Sequence, residues 1–198
     1  MLATEREKLY NRQGEYLSIG ITESGAPLAS VRIPWEKTHH AFNMKTPDVY
    51  LTPEDLSDPE ILAQLDCFQV IGCYIRMPLE DYSFLSRFPL IRDLNIYYGG
   101  NIRSLSFLAP LKECSMLYLE DANLPDLDLL LDAKKENPSI LGPFRCVCLH
   151  NCHVEDLTRF SGEPHRFFEF LVWCHNSDTE RPRWQSIKAD TLRVYEIE

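Results

Sequence analysis

Between Cys146 and His153 the chain reads C-V-C-L-H-N-C-H, a concentration of thiol and imidazole that is the strongest chemical signal in the sequence. Cysteine thiolate and histidine nitrogen are common zinc ligands, and a thiolate beside an imidazole is also a nucleophile with its base. Val147 and Leu149 alternate with the candidates, which suits a β-strand and puts Cys146, Cys148 and His150 on one face. Roughly 13 Å then separates the first backbone position from the last. Zinc bonds are only about 2.0–2.3 Å long, so two of these side chains could converge on one ion and the third could not without a bend. Cys152 fits a buried residue at a turn, His153 opens the next bend, and there is no second C-x-x-C pair. A cysteine enzyme needs an activating base and a pocket, and a smooth strand face is a poor pocket. The chain is therefore read as non-enzymatic, with no metal and no cofactor. The alternative is a metal-binding protein or cysteine-dependent enzyme built on Cys146, Cys148 and His150.

Other reactive patterns are missing. There is no phosphate-binding glycine loop and no G-x-S-x-G; Gly99-Gly100 reads as a turn. Glu120 and Asp121 are adjacent along a strand and point to opposite faces, so they do not form an acid/base pair. His39-His40 falls in an irregular region and reads as surface.

The elements that carry these residues follow one apolar pattern, L-x-x-L-x-L, which occurs six times. The copies are LDCFQV (Leu65, Phe68, Val70), IRDLNI (Ile91, Leu94, Ile96), CSMLYL (Cys114, Leu117, Leu119), FRCVCL (Phe144, Val147, Leu149), FFEFLV (Phe167, Phe170, Val172) and ADTLRV (Ala189, Leu192, Val194). Their middle residues lie 26, 23, 30, 23 and 22 positions apart, within or close to the range of solenoid repeats. Each copy ends in a period-2 pair, as a short strand with one buried face requires. Apolar return segments follow, such as Leu124 and Leu127, or Val154, Leu157 and Phe160. No unit can bury its own stripe, whereas strands stacked side by side bury all of them in one column.

FRCVCLHNCHVEDLTRF sets Phe144, Val147, Leu149, Cys152, Val154, Leu157 and Phe160 where a leucine-rich repeat places its apolar and Asn/Cys residues, and CSMLYLEDANLPDL nearly matches it, with Asn123 just before Leu124. Over residues 65–198 the chain resembles the leucine-rich repeat family. It departs from a regular pattern at Tyr98-Gly99-Gly100, which adds a residue, and at LDLLLDAKKENPSILGP, which stretches the third unit. The resemblance implies an α/β fold: a leucine-rich-repeat-like solenoid with a curved parallel sheet over 65–198. It also implies that the concave sheet face binds a partner.

With the middle pairs inward, three outward columns result. They are Cys67, Asp93, Met116, Cys146, Glu169 and Thr191; Gln69, Asn95, Tyr118, Cys148, Leu171 and Arg193; and Ile71, Tyr97, Glu120, His150, Trp173 and Tyr195. Aromatics mixed with acids and arginine are the composition of protein-binding hot spots. The expected partner-binding residues are Tyr97, Tyr118, Trp173 and Tyr195 as anchors, with Glu120, Glu169 and Arg193 as polar selectors.

Residues 1–64 read as a small α+β N-terminal cap. A polar helix spans 1 to about 13, a hairpin pairs Glu15–Thr22 with Leu28–Ile33, and a helix starts at Ser57-Asp58-Pro59-Glu60 with Ile61, Leu62 and Leu65 on its buried side. DLDLLLDAKKEN, Asp126 to Asn137, reads as an inserted helix with acids leading and lysines trailing.

The net charge of −10 disfavours nucleic acid, which needs clustered Lys and Arg. No apolar run is long enough to span a membrane, and the charged N-terminus lacks the apolar stretch of a secretory signal. An odd count of seven cysteines without a paired framework favours free thiols. These features point to the cytoplasm and to a scaffold-like protein that binds a protein partner, of unspecified identity and oligomeric state.

Overall fold

Period-2 alternation produces strands whose inward side chains are almost wholly removed from water. The computed structural model describes residues 16–25, 48–130, 146–162, 169–175, 180–188 and 191–197. Its main sheet is built from β1 (Tyr16–Ile21), β2 (Asp48–Leu51), β3 (Gln69–Ile75), β4 (Asp93–Ile96), β6 (Met116–Glu120), β8 (Cys146–His150), β10 (Glu169–Cys174) and β11 (Leu192–Glu196). The order across the sheet is β11-β10-β8-β6-β4-β3-β1-β2, and every pair is parallel. From β3 onward each strand is laid beside the one before it. The fold is thus α/β, with a parallel sheet and few helices.

Return segments make a second, smaller parallel sheet of β5 (Gly100–Asn101), β7 (Ala122–Asp126) and β9 (His153–Asp156), in which Leu124 pairs with Val154. One contiguous core takes in both sheets: Leu94, Ile96, Leu117, Leu119, Val147, Leu149, Phe170 and Val172 from the first, Leu124 and Val154 from the second. Short 3₁₀ turns at Ser83–Arg87 and Ser106–Leu108 add Leu85, Phe107 and Leu108 to it. Among the described residues the helices are few and short: α1 (Pro59–Leu65), α2 (Thr158–Gly162) and α3 (Glu180–Gln185). Asp58 caps α1, accepting from the backbone N–H groups of Glu60 and Ile61, and Ile61, Leu62 and Leu65 are buried as the sequence indicates.

Five of the six sequence copies hold their register: Leu94 pairs with Leu117, Leu117 with Val147, Val147 with Phe170, and Phe170 with Leu192. The first copy does not. Leu65 ends α1 and Phe68 lies in the following turn, while Cys73 and Ile75 pair with Leu94 and Ile96. The copy that folds is V-I-G-C-Y-I, Val70 to Ile75, which fits the template equally well. Gly72, Tyr74 and Arg76 therefore replace Cys67, Gln69 and Ile71 in the outward columns.

The N-terminal region also differs from expectation. Among the described residues β1 pairs in parallel with both β2 and β3, so it is an interior strand of the main sheet and not one half of a hairpin. Leu28–Ile33 and the helix expected over residues 1–13 lie outside the described residues. Asp126 closes β7, and its carboxylate accepts from the N–H of Asp128, where a helical turn opens; the rest of DLDLLLDAKKEN, from 131, lies outside the described residues. No helix among the described residues is long and apolar enough to cross a membrane.

The corner after three successive strands is made the same way. Tyr98, Asp121 and Asn151, each just past its strand, have φ of 57°, 51° and 51°. The corners interlock: Gly99 N–H donates to Glu120 O, Asp121 N–H to His150 O, and Asn151 N–H to Trp173 O. The Asn151 side-chain amide donates to Asp121 at 2.6 Å.

Candidate functional site

The outward face of the main sheet gathers its polar and aromatic side chains at the carboxyl ends of the strands. Parallel register brings Arg76, Tyr97, Glu120, His150, Trp173 and Tyr195 into one row, each on a neighbouring strand. The row is continuous. The Arg76 guanidinium lies 5.0 Å from the Tyr97 ring centre, and Tyr97 tilts against Tyr118 at 5.2 Å. Tyr118 donates its hydroxyl proton to Glu120 at 3.0 Å. The other Glu120 oxygen is 3.5 Å from His150 Nδ1, within ion-pair reach of a protonated imidazole, though Nδ1 makes no hydrogen bond. His150 neighbours Trp173 at 6.1 Å, and Trp173 stacks on Tyr195 at 4.7 Å with 20° between the rings. Arg193 reaches toward Glu169 at 3.8 Å.

Burial divides this row. Tyr97 and Tyr118 are only 6% and 2% exposed and form a second apolar cluster with Cys148 and Leu171, against which Tyr74, Cys146 and Trp173 pack. The expectation that Tyr97 and Tyr118 are exposed anchors is thus corrected: their rings pack into a cluster. Glu169 is likewise mostly covered, as an outward residue on β10 flanked by β8 and β11. Toward the last strands the surface opens. Trp173 and Glu120 are half-buried, Tyr195 is 38% exposed, and the Arg193 side chain is 55% exposed. The seven residues expected to bind a partner thus separate into a packed group (Tyr97, Tyr118 and Glu169), a half-buried pair (Glu120 and Trp173), and an open pair (Arg193 and Tyr195).

The thiols are set for packing. Burial, with the Glu169 carboxylate adding to it, pushes the Cys146 thiol up to about 12. Burial likewise holds Cys148 well above the usual thiol range, helped by Cys146, Cys152 and Glu120. Cys152 is pushed up to about 12 by burial, and its Sγ lies 3.4 Å from the Leu119 carbonyl. Raised values suppress the free thiolate that a cysteine nucleophile needs. Among the described residues, no group of three or more His, Cys, Asp or Glu is placed to hold a metal ion.

Several residues of this face escaped sequence reading. Arg76 and Tyr74 were hidden by the misplaced first copy. Asn95 is 2% exposed and its Oδ1 has no hydrogen-bond partner among the described residues; nothing in the pattern distinguishes it from a solvated strand residue. Gly20 gives room to the Tyr50 ring, whose Cδ1 would lie 2.6 Å from a Cβ built there. Comparison of the chain with protein-family models, with curated proteins and with solved structures gave no match.

Proposed function

We propose that the chain is a non-enzymatic, leucine-rich-repeat-like interaction module that captures a protein partner in the cytoplasm on the outward face of its main sheet, at the β8–β10–β11 end. The observation that carries this reading is the stacked Trp173–Tyr195 pair, partly open to solvent beside the exposed Arg193. Large, rigid aromatics next to an arginine lose little side-chain freedom on binding and dominate measured hot spots. Tyr97, Tyr118 and Glu120 lie beside the platform on the same face: Tyr118 donates to Glu120, and Glu120 stands next to the His150 edge against which Trp173 lies. The mechanism is shape and hot-spot complementarity, with Glu120 and Arg193 selecting by charge.

The test is a comparison of affinity capture from the native cell by the wild-type chain and by Trp173→Ala/Tyr195→Ala. Loss of the captured partner with an unchanged circular dichroism spectrum is expected. Equal capture by both proteins refutes the assignment of this patch. Tyr118→Ala is not a clean probe, because its ring is part of the buried cluster.

A further inference from the structure

We propose that β11 is the self-association edge of this protein, pairing antiparallel with β11 of a second copy about a two-fold axis at Val194. The argument begins with the backbone. Phe170 N–H donates to Thr191 O at 2.8 Å, and Ile197 N–H donates to Cys174 O at 3.0 Å. In a β-ladder the N–H and C=O of one residue point the same way and alternate from residue to residue. Arg193 and Tyr195 therefore bond to β10, and Leu192, Val194 and Glu196 aim theirs away from the sheet. Among the described residues nothing meets those groups, since β11 ends the strand order.

The side chains show the same incompleteness. Phe170 and Val172 are fully buried, whereas their register partners Leu192 and Val194 are only partly so. At the opposite end of the sheet Val49 and Leu51 are 5% and 0% exposed. An unpaired edge beside uncovered apolar residues is a template for another strand.

The sequence of β11, L-R-V-Y-E, selects a second copy as that strand. Antiparallel hydrogen-bonded pairs must join residues whose backbone groups both point outward. Placing Val194 opposite Val194 also places Leu192 opposite Glu196 in both directions, so all three outward residues of each copy are used. Shifting by two residues either way leaves one outward residue of each strand unused. The same register sets Arg193 opposite Tyr195 of the partner copy, twice, in the closely spaced pairs. Within one chain Arg193 and Tyr195 share the outward face of β11, and the nearby Tyr195 hydroxyl favours the Arg193 charge, so the exchange repeats a neighbourhood these two side chains already have. The two-fold leaves both Trp173 faces on one side of the joined sheet. The inference does not depend on the proposed partner capture.

Sedimentation velocity over a wide range of concentration tests it. The wild-type chain is expected to move from monomer to dimer by mass action. Val194→Pro removes an outward N–H that β10 does not use, and is expected to hold the chain monomeric. Val194→Cys in a Cys67→Ser background is expected to give a disulfide-linked dimer under copper–phenanthroline oxidation. Two-fold related backbones about 5.5 Å apart lie within disulfide reach. Cys67 is removed because it is the exposed native thiol. A wild-type chain that stays monomeric at all concentrations overturns the proposal. So does a dimer in which Val194→Cys fails to cross-link; that readout stands even if Val194→Pro does not fold.

Discussion

At the scale of single residues, the cysteines show how burial settles what a reactive side chain does. A thiol folded away from water cannot ionise at its ordinary value, so the native state holds a proton that the unfolded chain gives up. For Cys114, Cys146 and Cys152 the window runs from the ordinary value of 9.0 to about 12. Within it the unfolded state binds fewer protons than the native state, so stability falls as pH rises and is unaffected by these groups below it. The expected outcome is a urea midpoint that declines as pH rises above 9, with a shallower decline in Cys146→Ala. A midpoint that stays flat through this range contradicts the protonated, packed role given to these thiols. The sequence displayed the C-V-C-L-H-N-C-H cluster and its strand geometry together. The strand over Cys146–His150 was legible because alternation sets where side chains point. Burial of Tyr97 and Tyr118 was not legible, since a tyrosine on an outward column looks the same whether or not its neighbours pack over it.

At the scale of elements, the three corners past β4, β6 and β8 share a left-handed residue but not its cost. Asparagine and aspartate visit that conformation readily; tyrosine does not. Tyr98→Asn is expected to raise stability by about 1 kcal/mol, since the short polar side chain of asparagine hydrogen-bonds locally in the left-handed conformation and the backbone links of the corner stay intact. Asn151→Ala is expected to lower it by about 1 kcal/mol, because the side-chain bond to Asp121 is lost and alanine fits the conformation poorly. Thermal denaturation of the two variants would give opposite shifts in Tm; shifts of the same sign would remove the argument. Strand positions from β4 to β11 could be read from spacing because each inward pair is strongly apolar. β3 could not be placed uniquely: LDCFQV and VIGCYI both satisfy the template, and only the end of α1 at Leu65 decides between them. The return segments were visible as apolar clusters. Their pairing into a second sheet depends on corner geometry, which no hydrophobic period encodes.

At the scale of the whole molecule, the charge of −10 opposes association of two copies. Salt screens such repulsion, so the dimer fraction at fixed concentration is expected to rise between low and physiological ionic strength. A fall would indicate that the Arg193–Tyr195 exchange is outweighed by other charge contacts and that the register is different. The α/β class was legible because strand, turn and return recur along the chain. The place of the N-terminal region was not: YLSIGI alternates as a hairpin strand would, and alternation is silent on whether the neighbouring strand runs parallel.

The reversed placement of β1 and β2 gives the sheet a polarity of growth. Strands from β3 onward are added on one flank only, and at the other flank the apolar residues of β2 are already out of water. An array of this kind is extensible in a single direction. A duplicate of the β8-to-β9 unit inserted directly after β11 would meet a waiting template, whereas the same unit inserted directly before β1 would lead into a strand already flanked on both sides. Lengthening this sheet, by duplication or by design, is therefore an operation on its β11 flank.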